Sequence, residues 1–227
     1  MGKFQLKPYT GKYAGQHLPR RIIAMLVAVT VMGLGVSLFM LASMGCDPFS
    51  TLNQGISSRI GMSFGTWQAI LNILLLIVIL FLDRSMLGLG TLGNMFLVGF
   101  SADFFSPIWN RLVDAQALSL WARLLLTLVG VALMLVACSF YVTSNLGMAP
   151  YDCLSFIVPN KTKIPFRWWR ILCDVTCVVI GFFCGAPVGV GTLIMAFGTG
   201  PLLPLCNKYL AAPVLKISEI KKNETLS

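Results

Sequence analysis

Long apolar runs separated by short polar stretches make up most of the chain. Six of them, near 21–44, 65–82, 88–106, 120–144, 166–184 and 189–207, approach or reach the length that carries an α-helix across a bilayer, about 20 residues. Between Asp83 and Leu87, and between Gly185 and Val188, only a tight turn fits, so the flanking spans are expected to be antiparallel neighbours. The first run is followed by Gly45-Cys46-Asp47-Pro48-Phe49-Ser50-Thr51-Leu52. The fourth is followed by Gly147-Met148-Ala149-Pro150-Tyr151-Asp152-Cys153-Leu154. Gly lacks stiffness and Pro lacks an amide donor, so Gly45–Pro48 and Gly147–Pro150 are predicted helix breaks.

A shorter amphipathic segment follows each break. In 48–60, Phe49, Leu52, Ile56 and Ile60 share one helical face, with Ser50, Thr51, Asn53, Gln54 and Ser57 largely elsewhere. Twelve helical residues cover about 18 Å, roughly half a bilayer. Segments 48–60 and 150–158 fit either a piece that re-enters the membrane beside protein or one that lies on its surface. Pro159-Asn160 is expected to stop the second segment early.

The two breaks belong to a longer duplication. The shift that sets Gly45 on Gly147 also sets Arg21 on Arg123, Ser37 on Ser139, Pro48 on Pro150, Phe64 on Phe166, Trp67 on Trp169 and Asn72 opposite Asp174. After one deletion, Gly88-Leu89-Gly90-Thr91-Leu92 falls on Gly189-Val190-Gly191-Thr192-Leu193, and Gly99 on Gly200. Chance matching of apolar runs scatters Leu and Val; it does not order Gly, Pro, Thr, Trp and Arg. The expected architecture is an all-α polytopic membrane protein of six spans in a 3+3 inverted-topology repeat. Its parts are a basic N-terminal tail (1–20), a first three-helix repeat (21–106), a linker (107–119), a second repeat (120–207) and a polar C-terminal tail (208–227). Three spans per half make the halves enter the membrane in opposite directions. Secondary transporters are often built this way, with the substrate site near midplane between the repeats, although a fold does not fix a function.

Composition agrees. The 227 residues are 57% hydrophobic and 11% charged, with a mean hydropathy of +0.83, too apolar for a soluble core. The net charge of +9 sits mostly between or outside the spans. A positive-inside bias accounts for it better than nucleic acid does, and places both termini in the cytoplasm. The basic start precedes a run too long for a cleaved signal peptide, which points to an uncleaved anchor. Ser43-Met44-Gly45-Cys46 fits a lipoprotein cleavage site poorly, so Cys46 is read as incidental. His17 is the single histidine, which argues against His-based metal or catalytic chemistry, and the seven cysteines read as free core residues. No cofactor, metal or enzymatic constellation is expected.

The Gly-x-x-Pro breaks, the Gly-x-Gly-Thr-Leu element and the duplicated six-span plan resemble the YczE/YyaS/YitT group of bacterial membrane proteins, nearest its YczE branch, over most of 21–207. The resemblance implies a multi-pass protein of the bacterial cytoplasmic membrane.

Asp174 is the foremost candidate for chemistry, because an ionised carboxylate in Ile171-Leu172-Cys173-Asp174-Val175 is costly in a membrane. Arg170, one turn earlier, is placed to pair with it, as a site or as a structural ion pair. Asn72 and Gln68 hold the matching positions in the first repeat, either facing a central cavity or serving as interhelical hydrogen-bonding glue. Asp47 and Asp152 flank the breaks as gate or, better, capping residues. The Gly88/Gly90/Thr91 and Gly189/Gly191/Thr192 elements lack the Lys and strand context of a nucleotide loop, so close helix contact is the expected role. The leading function is a small transporter or permease moving an unidentified small solute. The alternative is an accessory or substrate-binding membrane subunit docked on a membrane partner or a second copy of the chain.

Overall fold

The computed structural model describes residues 18–162 and 164–215, so the sequence expectations for the rest of the two tails lie outside it. Eight main helices follow in order: α1 (Leu18–Ala42), α2 (Pro48–Ile60), α3 (Phe64–Leu82), α4 (Leu89–Leu112), α5 (Leu120–Ser144), α6 (Pro150–Lys161), α7 (Phe166–Phe183) and α8 (Val190–Cys206). No strand occurs among the described residues. Among the described residues, four helices are long and apolar enough to cross a membrane: Leu18–Ala42, Phe64–Leu82, Leu120–Ser144 and Val190–Val214. α4, with 24 residues, and α7, with 18, have comparable length but are more polar. Asn94 and Asp103 interrupt the first, and Arg167, Arg170 and Asp174 the second.

Two boundaries differ from expectation, both at proline. α4 continues through Pro107 to Leu112 and α6 continues through Pro159 to Lys161, whereas α8 keeps Pro201 and Pro204 inside the expected span. A proline removes one backbone hydrogen bond, which weakens a helix without necessarily ending it. After α8 comes a π-helical turn, Asn207–Ala211, before a last α-turn, Ala212–Val214. The connection between the halves is therefore 113–119 rather than 107–119.

Caps close several ends. Asp47 Oδ1 accepts from the Ser50 amide at 3.0 Å, and Ser63 and Ser119 cap α3 and α5 in the same manner. Asp83 ends α3, and the Ser85 amide bound to its side chain holds its carboxyl below the usual range.

The two breaks have matching backbone. Ser43 and Asn145 are both left-handed, at φ +53° and +50°, and Gly45 and Gly147 follow at +86° and +113°. Each break leaves helix-terminal carbonyls without intrahelical donors, and residues of the other half supply them. Arg21 Nε donates to Ser144 O at 2.8 Å and its Nη2 to Asn145 O at 3.1 Å. Arg123 Nη1 donates to Ala42 O at 3.2 Å. Gly90 N donates to Leu146 O at 2.7 Å, and Gly191 N to Met44 O at 2.9 Å. Since the start of each long helix meets the end of the other, α1 and α5 run antiparallel. Their shared core includes Val29, Val36 and Phe39 of α1, Val98 and Ala102 of α4, and Val131 and Met134 of α5.

α1 also packs along α4, α5 along α8, and α3 along α4. α2 crosses α7 where Gly55 meets Gly181, a place with no room for a side-chain carbon on either helix. α6 lies against α3 and α7, with Ile157 and Cys153 beside Ile79.

A graded set of alanine substitutions tests the crossed breaks. At Gly147 a side-chain carbon would lie 2.6 Å from Gly88 N, on backbone at φ +113°. Gly147→Ala is expected to cost more than the 1–3 kcal/mol of local strain, roughly. Gly61→Ala, at φ +70° in open space, should cost roughly 1–2 kcal/mol, and Gly200→Ala, inside α8 and likewise in open space, should stabilise by roughly 0.5–1 kcal/mol. Thermal melts of the three purified variants check the order; equal melting temperatures would remove the breaks as a structural constraint.

Candidate functional site

α2 is built inside-out. Ser50, Thr51, Asn53 and Ser57 are buried, whereas Leu52 and Ile56 are half-buried and Ile60 is exposed. A helix over a water-solvated core would do the reverse. Its polar residues up to Ser57 are turned into the protein and its apolar ones are less covered.

The first turns of α2 and α6 meet. Phe49 and Tyr151, which occupy the same place after their breaks, stack with ring centroids 4.7 Å apart and planes at 23°. The chains leading to them leave opposite ends of the α1/α5 pair, so the rings meet between those ends. Around them lies a charged cluster centred on Arg170. Its Nη1 donates to Asp152 Oδ1 at 2.8 Å and to Ser155 Oγ at 3.4 Å, and its Nε to Asp174 Oδ2 at 3.2 Å. The guanidinium also sits 5.0 Å from the centroid of the Tyr151 ring. Tyr151 donates its hydroxyl proton to Asp174 Oδ1 at 2.6 Å. Both oxygens of Asp174 are thus held, one by a cation and one by a phenol. Asp47 lies within electrostatic reach of Arg170 and Asp174, and its Oδ2 is buried with no hydrogen-bond partner among the described residues.

The structure brings together Asp174, Arg170 and Asp152, with Asp47 at the edge. Asp47 caps α2, as the sequence suggested. Asp152 caps nothing: Ala149 holds the N-cap place of α6, and the carboxylate turns to Arg170 instead. Gln68 and Asn72 are buried on α3, and no hydrogen bond joins them to the charged cluster among the described residues. A side-chain carbon at Gly99 would lie 3.2 Å from Gln68 Oε1, so that amide packs toward α4. Both polar atoms of Asn72 lack a partner among the described residues. Gly45, Pro48, Gly147 and Pro150 form the junctions that deliver Phe49 and Tyr151.

Sequence reasoning did not single out Tyr151, Phe49 or Ser155. The aromatic retained at matching positions 49 and 151 was the available signal. The Gly-x-Gly-Thr-Leu elements serve contact: Gly88 and Gly90 lie against Leu146 and Gly147, and Gly189 and Gly191 against Met44 and Gly45. All seven cysteines are free. No three His, Cys, Asp or Glu side chains are grouped to hold a metal among the described residues.

Apolar helices of spanning length around a charged, aromatic-walled cluster define a polytopic helical membrane protein. Residues 19–208 match a family described as a family of unknown function, DUF6198, and the chain belongs to that family. It is 25% identical over 197 residues to the Bacillus subtilis protein named "Uncharacterized protein YyaS", covering 87% of this chain and 94% of the relative. It is 27% identical over 190 residues to the "Uncharacterized membrane protein YczE" of the same organism, covering 83% and 86%. A Haemophilus influenzae "Uncharacterized protein" is 26% identical over 184 residues, covering 81% and 82%. The YczE/YyaS-type resemblance read from the motifs agrees with these matches. No solved structure matches the chain.

Arg170→Gln leaves Asp152 and Asp174 unpaired and is expected to lower the melting temperature. Adding Asp174→Asn should recover part of the loss, with a coupling in the range of about 0.5–3 kcal/mol for groups in one network. Strict additivity of the two substitutions in a denaturation cycle would show that the cluster is not a unit.

Proposed function

We propose that the protein is a small-solute permease of the bacterial cytoplasmic membrane, with its site where the two halves meet. The observation carrying this reading is the Arg170–Asp174–Asp152–Tyr151 cluster, set against Phe49 at the junction of two short helices. An ion cluster among apolar helices is costly to maintain, and in membranes such groups mark solute or ion pathways. In this reading 21–106 and 120–207 are inverted three-span repeats, α1, α3, α4, α5, α7 and α8 are the six spans, and both termini are cytoplasmic. The reciprocal bonds of Arg21 to Ser144 and Arg123 to Ala42, and of Gly90 to Leu146 and Gly191 to Met44, support an inverted relation, since each joins the start of one half's helix to the end of the other's. The inward polar face of α2 supports a lined interior. The mechanism invokes binding and passage, with no covalent step.

Two measurements test the proposal. In a background stripped of native cysteines, single cysteines at Arg59 and Asp114 should react with an impermeant maleimide from outside, and one at Lys161 should not. Outside reaction at Lys161 would overturn the inverted arrangement. Separately, purified protein is screened by thermal shift against small cationic, anionic and zwitterionic solutes. A solute that stabilises the native protein but not Asp174→Asn should enter proteoliposomes through the former alone. Equal uptake by Asp174→Asn would remove the cluster from the pathway. Binding without uptake would move the protein to the accessory class.

A further inference from the structure

The two halves differ where their matching helices should pack, and they differ in how far the matching polar positions are covered. In the first half α3 lies tightly on α4: a carbon at Gly65 would be 2.6 Å from Gly99 C, and Gly65 N donates to Asp103 Oδ2 at 2.9 Å. Gln68 and Asn72 are buried there. In the second half α7 makes no comparable contact with α8 among the described residues. Nothing lies within 4 Å of a carbon built at Gly200, the position matching Gly99. Sequence explains the opening. Arg167 and Trp168 stand where Gly65 and Thr66 allow close approach, while Gly181 lets α7 lean onto Gly55 of α2. The side chains of Arg170 and Asp152 are 36% and 34% exposed and that of Asp174 21%, whereas Gln68, Ser50 and Asn72 at the matching positions are buried.

We propose that the gap between α7 and α8 is a lateral entry to this cluster, and that its ligand is an organic cation with an apolar body. This rests on the permease reading and adds its substrate class. Two carboxylates, Asp152 and Asp174, share one guanidinium, and nearby Asp47 Oδ2 is buried without a partner among the described residues. The carboxylate in excess of the one guanidinium calls for a cation. The carboxylates are not grouped as a metal site, which favours a larger cation over a bare ion. Val175 of α7, next to Asp174, and Leu193 and Phe197 of α8, two turns and one turn before Gly200, are apolar and exposed. A cationic centre reaches the carboxylates while the apolar body stays against these side chains and lipid.

Tetraphenylphosphonium, tetraphenylborate and tetramethylammonium separate the possibilities, with binding to the detergent-purified full chain read by calorimetry. Tetraphenylphosphonium is expected to bind at least tenfold more tightly than either of the others. Asp174→Asn should weaken it at least tenfold. Gly200→Trp, which fills the gap at a position with free space, should abolish its binding while leaving the melting temperature near the native value. Gly200→Leu serves the same purpose if the tryptophan variant does not fold. Equal binding of tetraphenylborate would overturn the charge assignment, and undiminished binding in the folded Gly200 variants would overturn the entry route. Asp174-dependent binding of tetramethylammonium alone would refute this inference and leave the permease reading standing. Asp174-dependent binding of tetraphenylphosphonium without flux in proteoliposomes would do the opposite.

Discussion

A helix that ends inside a protein leaves carbonyls without intrahelical donors, and each buried one left unpaired costs about as much as a lost hydrogen bond. This chain breaks two of its long helices, and the rest of its structure follows from how those breaks are closed. The donors are neither local nor shared. Arg21 serves the end of α5 and Arg123 the end of α1; Gly90 serves Leu146 and Gly191 serves Met44. A cation at a helix C-terminus also meets the negative end of its dipole. Because each half closes the break of the other, neither half completes its own backbone accounting alone. The antiparallel α1/α5 pair and the meeting of α2 with α6 are consequences of that exchange.

Much of this was legible in the chain. Gly-x-x-Pro identifies a break because both residues act on the backbone itself, independently of surroundings. Arg170 and Asp174 read as a pair because their spacing is one helical turn. Pro107 and Pro159 misled for the complementary reason: a proline weakens a helix by one bond, and tertiary packing decides whether the helix continues. Asp152 was assigned to capping from its place in the first turn of α6. Local position cannot show that Arg170, eighteen residues later, would reach it at 2.8 Å. The choice between a surface-lying and a buried α2 was also beyond the pattern, since an amphipathic helix looks alike whichever face is solvated. Burial of Asn53 and Ser57 with exposure of Ile60 resolves which face turns inward.

The matched positions have diverged in a directed way. Contacts that close the breaks keep their residue types: Arg21 and Arg123, Gly90 and Gly191, Gly45 and Gly147. Those that set how α3 and α7 lean do not. Gly65 matches Arg167, Ile79 matches Gly181, and Gly55 matches Ile157. Backbone closure tolerates few alternatives, since a carbonyl needs a donor and a close approach needs glycine. Side-chain bulk along a helix face is freely exchanged provided volume is balanced elsewhere.

That exchange explains why the matched positions 68/170 and 72/174 are charged in the second half alone. On α3, packed against α4, the site carries neutral Gln68 and Asn72, because a buried unpaired charge there would be prohibitive. On α7, tilted from α8 onto α2, room opens beside the same positions, and they carry Arg170 and Asp174. An ion pair becomes tolerable where each partner finds a second neighbour, and here Asp152 and Tyr151 supply those neighbours from α6. The close approach of Gly181 to α2 and the partners that α6 supplies therefore act together: they hold α7 where a charged cluster can persist inside an apolar protein.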